Sequence, residues 1–219
     1  KTLLTFGYCM SKKVINQNTN YDLELINSIE STFSFDKNPI NRLKKTTENS
    51  NLKNNIENVD KQKALNDLKE EISSIQDCKI KLNAKNIVLG DGDINSSLML
   101  IGEAPGEKED KVGTTFMGEV GALLKKMLIA INIKKENIYC TYAINFRPPN
   151  DRKPSSNEIK RYSQLLKKHV AIIKPKIIIL MGSTAMESLT GLSSKISIER
   201  GKWKEVIVKN TNYEVIITF

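Results

Sequence analysis

The sequence contains little cysteine and almost no histidine. Its 219 residues include three cysteines, Cys9, Cys78 and Cys140, and a single histidine, His169. The cysteines are far apart and form neither a CxxC pair nor a cluster with histidine, so the sequence predicts neither a zinc site nor a disulfide framework. Reduced thiols in a cytoplasmic protein are the simpler interpretation. Because His169 falls inside a predicted helix, we expect an ordinary structural histidine there and not a catalytic one.

Long apolar runs and phosphate-loop glycines are also missing. No run approaches the length of a membrane-spanning helix, and residues 1–10 lack the apolar segment and cleavage site of a signal peptide. We therefore expect a soluble protein with no membrane partner. Neither GxGxxG nor a glycine-lysine phosphate loop is present, which argues against dinucleotide or triphosphate binding. Aromatic residues make up only 6% of the chain, so the predicted core is mainly aliphatic.

Positive charge is in excess. The chain has 34 Lys and Arg against 25 Asp and Glu, a formal net charge of +9. Such an excess favours a polyanionic partner such as nucleic acid. The alternative is a composition rich in Lys, Asn and Ile that raises the charge without any binding.

Two regions differ in composition. Residues 1–77 are predicted to form an N-terminal arm, because 17–60 is polar and lacks a sustained apolar period, as in a linker or a disordered segment. Within the arm, apolar residues at helical spacing predict a short amphipathic helix near 61–76. Residues 78–219 are predicted to form the α/β domain.

Strands and helices alternate through the second region. Short strands are predicted at 86–93, 96–102, 138–144 and 177–181, helices at 118–132, 155–173 and 183–189, and a hairpin-like region at 196–219. Such alternation predicts an α/β fold with three layers, α/β/α, around a central, mostly parallel sheet. In the helix at 118–132, the apolar residues are predicted to share one face: Val120, Leu123, Leu124, Met127, Leu128 and Ile131.

The loop that follows the strand at 96–102 is the clearest candidate site. It begins Gly-Glu-Ala-Pro-Gly at 102–106 and then carries several acidic residues before Phe116. Ligands of open α/β sheets bind at the carboxyl ends of strands. Its carboxylates could orient water or stabilise a developing cation, and Phe116 could stack on a base. A solvated acidic turn over a core phenylalanine remains the alternative.

Two basic turns form a second candidate feature. Residues 147–154 combine three prolines with Arg147, Arg152 and Lys153, so this segment is predicted to be neither a helix nor a central strand but a stiff basic loop suited to phosphates. The turn at 200–203 carries Arg200, Lys202 and the only tryptophan. It is predicted to be either a second phosphate contact or a strand-edge turn with a packed tryptophan.

Together these motifs resemble the type 4 branch of the uracil-DNA glycosylase superfamily, from about Cys78 to the end of the chain. The resemblance rests on Gly-Glu-Ala-Pro-Gly, Glu-Asp and Phe-x-Gly at 102–118, on Arg-Pro-Pro at 147–149 and on Lys-Pro-Lys at 174–176. It implies a monomer that acts on uracil-containing DNA, flips the nucleotide out of the duplex and hydrolyses the N-glycosidic bond.

The resemblance also implies residue roles. It assigns catalysis to Glu103 and Glu109. Substrate contacts are assigned to Gly102, Ala104, Phe116 and Tyr142. DNA contacts are assigned to Arg147, Asp151, Arg152, Lys153, Arg200 and Lys202.

The chain departs from the family pattern at several positions. Tyr142 stands where the family has an asparagine that reads the uracil edge, and Asp151 stands where an amide is usual. The family's His-Pro-Ser segment would follow Phe219, so we expect a domain that is incomplete at its C-terminus. We therefore expect weak uracil excision. The alternative is a non-catalytic remnant with residual DNA binding.

Many type 4 members carry a four-cysteine iron–sulfur cluster. The corresponding positions here are Cys78, Lys81, Phe146 and Tyr162. One thiolate cannot hold such a cluster, so we expect no iron–sulfur cofactor and no other metal.

Overall fold

The computed structural model describes residues 47–76 and 78–218, with side chains from residue 58 onward. The predicted arm up to residue 46, which includes Cys9, lies outside the described residues. Helix α1 spans Thr47–Ser73, so it begins well before the predicted start at 61 and ends slightly before 76. Its side chains Leu65, Leu68 and Ile72 are buried in the apolar core. The helix therefore belongs to the α/β unit, although its residues fall within the segment predicted to be an arm.

A six-stranded sheet forms the centre of this unit. Its strands are β1 (Gly90–Gly92), β2 (Leu98–Gly102), β3 (Tyr139–Tyr142), β4 (Ile177–Met181), β5 (Trp203–Val208) and β6 (Thr211–Thr218). They lie in the order β1-β3-β2-β4-β6-β5. The four inner strands are parallel, whereas β1 and β5 pair antiparallel at the two edges. The prediction of a mostly parallel sheet is confirmed.

Helices follow the strands in the expected alternation. They are α2 (Glu107–Val112), α3 (Gly118–Ala130), α4 (Ser156–Ile173), α5 (Ser183–Thr190) and α6 (Ile196–Glu199). Short 3₁₀ turns occur at Lys81–Asn83, Lys135–Asn137 and Pro149–Asp151. The last of these is a single turn within the proline-rich loop at 147–154, and Asn150 and Asp151 in it have positive φ, so it does not continue as a regular helix. In the described ranges, no helix is long and apolar enough to cross a lipid bilayer.

Side chains alternate between the two faces of the sheet, and each face has its own apolar cluster. Ile101 and Leu180 point to the face covered by α1, α4 and α5. Leu100 and Cys140 point to the opposite face, which α3 and the loop before it cover. This arrangement gives the three predicted layers, because a strand buried on both sides needs apolar residues in succession.

Helix α3 does not bury the whole apolar face predicted from its sequence. Leu124 and Leu128 are buried against the sheet. The other four are exposed: Val120, Leu123, Met127 and Ile131. These four residues lie on the part of the predicted face that does not contact the sheet. The apolar arc is wider than the contact that one helix makes with a sheet.

Local signals fix several element ends. Ser155 caps α4 in a capping box, in which its hydroxyl accepts from the N–H of Glu158 and its own N–H donates to the Glu158 carboxylate at 2.7 Å. Between β5 and β6, Lys209 and Asn210 both have positive φ. Such a pair makes the tight turn of a hairpin. The hairpin leaves Trp203 on the solvent side of the edge strand, where it is 58% exposed. Trp203 is therefore not packed, contrary to one of the two alternatives expected for the turn at 200–203.

Candidate functional site

The carboxyl ends of the parallel strands bring the predicted segments to one edge of the sheet. Gly102, at the end of β2, is in register with Tyr142, at the end of β3. The N–H of Ala143 donates to the carbonyl of Gly102 at 2.8 Å. On the other side of β2, strand β4 ends and Gly182 turns the chain into α5. This is the edge at which α/β sheets bind ligands.

Two aromatic rings lie directly over Gly102. A Cβ at this position would stand 2.8 Å from the Tyr142 ring and 3.0 Å from the Phe116 ring. The ring centroids of Phe116 and Tyr142 are 5.0 Å apart. Glycine is needed here because any side chain would displace one of the rings. The structure therefore brings together three of the predicted substrate residues.

The hydroxyl of Tyr142 holds the loop that carries Phe116. It accepts a hydrogen bond from the N–H of Phe116 at 2.9 Å. Phe116 adopts a φ of 49°, which is uncommon for an aromatic residue, and this bond helps to fix it. Burial raises the pKa of Tyr142 above its ordinary value, so the hydroxyl stays neutral. In this conformation the Tyr142 ring lies beside the Phe116 ring, tilted by 40° from it.

The two predicted catalytic carboxylates differ in surroundings. Glu109 is buried, and its carboxylate accepts hydrogen bonds from the N–H of Gly106 at 3.2 Å and of Met117 at 2.7 Å. It thereby joins the two ends of the loop around α2. Glu103 is half-buried, and one of its oxygens lies 4.0 Å from where a Cβ would stand on Gly182. Of the two, Glu103 faces the open side of the sheet edge.

A small cleft opens beside Glu103. Its volume is about 190 Å³. Its lining combines the turn after β2 with the proline-rich loop, through Glu103, Ala104, Pro105, Gly106, Pro148, Asp151 and Arg152. The predicted substrate residue Ala104 thus lies on this cleft and not under the aromatic pair. Two carboxylates on the wall make the cleft less positive than the sequence suggests.

The arginines of the proline-rich loop are paired with carboxylates. Arg147 makes a bidentate contact with Asp151, with both N–O distances 2.7 Å. Arg152 pairs with Glu158 at 2.8 and 2.6 Å. The guanidinium of Arg147 holds the pKa of Asp151 below its ordinary value, and Arg152 lowers the pKa of Glu158 to about 2. Both guanidinium groups of the loop are therefore paired with a carboxylate in the free protein.

The remaining predicted DNA contacts lie further along the same edge. The ammonium of Lys153 donates to the hydroxyl of Ser183 at 2.8 Å, which ties the proline-rich loop to the start of α5. Arg200 and Lys202 are exposed on the turn after α6. That turn lies beside the end of β6, because the N–H of Gly201 donates to the carbonyl of Ile217. These two residues are thus two strands away from β2 and do not line the cleft.

Sequence reasoning missed the groups that hold the loop before α3. The carboxylate of Asp91, in β1, accepts from the N–H and the hydroxyl of Thr115 at 2.6 and 2.8 Å. Lys135 donates to the carbonyl of Thr115 at 2.5 Å. The Gly-Asp-Gly sequence at 90–92 was the available signal for Asp91. No local pattern indicated the role of Lys135, because its partner Thr115 lies 20 residues away in the chain.

His169 is buried and does not face this edge. Its Nε2 lies 2.8 Å from the hydroxyl of Tyr139, with the two rings edge to face. Burial lowers the pKa of His169 to about 3. The expectation of a structural histidine is supported. The side chain is only 2% exposed.

The positions that correspond to the cluster ligands converge, but their chemistry does not fit an iron–sulfur cluster. Cys78, Phe146 and Tyr162 share one apolar cluster, and the Cys78 sulfur lies 3.4 Å from the Tyr162 hydroxyl. The ammonium of Lys81 donates to the carbonyl of Ser73. One thiol, an aromatic ring, a phenol and an ammonium cannot replace four thiolates. Within the described ranges, no group of three acidic, cysteine or histidine side chains is arranged for a metal ion.

Comparison with known proteins agrees with this arrangement. The sequence model of the "Uracil DNA glycosylase superfamily" matches residues 89–219. The type-4 uracil-DNA glycosylase of Thermotoga maritima is 34% identical over 131 residues, covering 60% of this chain and 68% of that protein. The type-4 enzyme of Archaeoglobus fulgidus is 33% identical over 147 residues, covering 65% and 74%.

A third relative is of another kind. A DNA polymerase of Bacillus phage SP01 is 29% identical over 118 residues, which are 53% of this chain but only 13% of that protein. The matched family region contains the sheet and the turn at 102–106 with the aromatic pair above it. The fold and the sequence similarity together show that the chain belongs to the type 4 branch of the uracil-DNA glycosylase superfamily.

Proposed function

We propose that this protein removes uracil from DNA by hydrolysing the bond between the base and its deoxyribose. The observation that carries the proposal lies at the carboxyl edge of the sheet, where the Phe116 ring lies against Gly102 and Glu103, the next residue, lines the cleft. The names of the type-4 relatives support the same activity.

The reaction adds water at C1′ of the sugar and breaks the bond from C1′ to N1 of uracil. Uracil leaves as an anion and takes up a proton, and an abasic deoxyribose remains. A carboxylate such as Glu103 favours the cationic sugar of the transition state, and Glu109 keeps the loop in shape. A base that stacks on the side of Phe116 next to Tyr142 requires the Tyr142 ring to rotate away.

A second candidate is DNA binding without cleavage. It is favoured by the packing of Tyr142, which lacks the paired donor and acceptor of an amide. In either case we propose a monomer in the cytoplasm that acts on DNA and has no membrane partner.

The test is release of uracil from a labelled single-stranded oligonucleotide, read as alkali-sensitive abasic sites. We expect slow cleavage by the unaltered protein and none by Glu103→Ala, with folding checked by circular dichroism. Glu70→Ala is the matched control, since Glu70 is exposed on α1. Binding without cleavage, with an affinity that falls steeply as salt rises, would support the second candidate. Absence of both activities overturns both.

A further inference from the structure

The ion pair between Arg147 and Asp151 occupies a guanidinium that a phosphate could otherwise use. Both contacts are 2.7 Å, which matches the two-pronged geometry that arginine also offers to phosphate. The Asp151 side chain is 54% exposed and that of Arg147 is 24% exposed, so the pair lies at the protein surface, open to a competitor. Asp151 also lines the cleft beside Glu103.

The backbone makes this contact at some cost. Asn150 and Asp151 are consecutive residues with φ of 54° and 52°, in the left-handed region that favours glycine. Pro148 and Pro149 stiffen the chain just before them. Because this loop conformation directs the carboxylate onto Arg147, the ion pair is built into the fold of the loop and is not a chance meeting of two long side chains.

The wider surroundings of Arg147 are also acidic. Glu107 and Asp110 both act on its charge through space, and they and Asp151 raise its pKa. Asp110 is held in place by the N–H groups of Lys85 and Asn86. Among the residues that the structure describes, Asp151 is the one that contacts the guanidinium directly, so its removal is the smallest change that frees it.

We propose that Asp151 is an internal competitor for DNA phosphate: it occupies Arg147 in the free protein, and a phosphate reaches this arginine only when the ion pair opens. The proposal rests on the proposed function in that DNA is the polyanion concerned. It makes Asp151 a determinant of DNA affinity that acts against binding.

The experiment measures the affinity of uracil-free oligothymidylate by fluorescence anisotropy over a series of salt concentrations. Asp151→Asn is compared with Asp67→Asn, which changes the net charge equally on an exposed position of α1. We expect Asp151→Asn to bind about fivefold more tightly than Asp67→Asn, the equivalent of one net hydrogen bond. The slope of log affinity against log salt should steepen by about 0.7, the value for one additional phosphate on a single strand.

Arg147→Gln provides the decisive comparison. Compared with Lys63→Gln, which removes the same charge at an exposed position of α1, it should cost little additional affinity in the unaltered protein and should abolish the gain in the Asp151→Asn background. Asp151→Gly, which suits the φ of 52°, should reproduce the gain and guards against a folding defect of the first variant. Equal affinities of Asp151→Asn and Asp67→Asn would overturn the proposal, as would an equal loss from Arg147→Gln in both backgrounds.

The result does not depend on glycosylase activity, because the oligonucleotide contains no uracil. Failure to release uracil would count against the proposed function while leaving this comparison valid. If oligothymidylate is not bound, heparin serves as the polyanion in the same series of variants. No difference among them on heparin would also overturn the proposal.

Discussion

Tyr142 is the residue whose environment matters most for the chemistry of this protein. Its ring lies against Phe116 and over Gly102, and its hydroxyl accepts from the Phe116 N–H. An asparagine at this position would leave that space open and would present both a donor and an acceptor to a base. The residue thus couples loop stability to occupation of the site.

We expect Tyr142→Asn to increase uracil release by on the order of tenfold to a hundredfold, because the amide restores a hydrogen-bonding group at the base. The same change should lower the free energy of unfolding by about 3 kcal/mol, since a buried aromatic ring is lost. Abasic-site formation and chemical denaturation measure the two effects. Tyr142→Phe, which keeps the ring, is the control. An equal rise in activity for both variants would contradict the explanation.

The single histidine predicts a particular dependence of stability on pH. His169 has a pKa of about 3 in the folded protein and an ordinary value near 6.5 when unfolded. Between these values the unfolded chain binds a proton that the folded protein does not, so stability falls as pH falls. We expect the free energy of unfolding to decrease by about 1.4 kcal/mol per pH unit well below pH 6.5.

Denaturation between pH 6.5 and 5 measures this slope before the carboxylates contribute strongly. His169→Gln should remove the slope, at a cost in stability at every pH because the contact with Tyr139 changes. A flat curve for the unaltered protein over this range would show that His169 is not buried as described.

At the scale of elements, α3 shows how periodicity and burial differ. Its apolar residues recur at helical spacing, yet only one side of the arc contacts the sheet. Leu124 is buried, and its neighbour Leu123 is 59% exposed. The sequence alone could not separate them, because both are leucines within the same apolar arc.

These two leucines form a matched pair for mutation. Leu124→Ala should lower the free energy of unfolding by about 3 kcal/mol, through lost burial and the cavity left behind. Leu123→Ala should change it by less than about 0.5 kcal/mol, as is usual for a surface position. Equilibrium denaturation measures the loss of stability in each variant. Similar losses at both positions would mean that something covers the exposed side of the helix in solution.

At the scale of the whole molecule, an apolar cluster connects the segments that carry the positions corresponding to the cluster ligands. Cys78 lies just before the 3₁₀ turn at Lys81–Asn83, Phe146 follows β3, and Tyr162 belongs to α4. Their contacts also include Leu68 and Ile72 of α1. We infer that side-chain packing is what holds these parts of the chain together.

The expected behaviour follows from this packing. Tyr162→Ala should lower the free energy of unfolding by about 3–5 kcal/mol, as for other large buried aromatic residues. Cys78→Ser should have a much smaller effect, because the hydroxyl keeps a hydrogen-bonding group beside Tyr162. Thermal unfolding with and without a chelator, together with an iron assay, tests the absence of a cluster. Stoichiometric iron, or unfolding on chelation, would contradict the inference.

The sequence by itself determined the order of strands and helices, the parallel character of the sheet and the edge at which the site lies. These features depend on local periodicity, on glycine and proline at turns such as 102–106, and on a cap such as Ser155, all of which are written in neighbouring residues. Only the tertiary structure decided that α1 joins the core and that Tyr142 fills the space beside Phe116. It alone also paired Arg147 with Asp151. Each of these depends on which side chains come into contact in the folded protein. The order of residues along the chain does not specify those contacts.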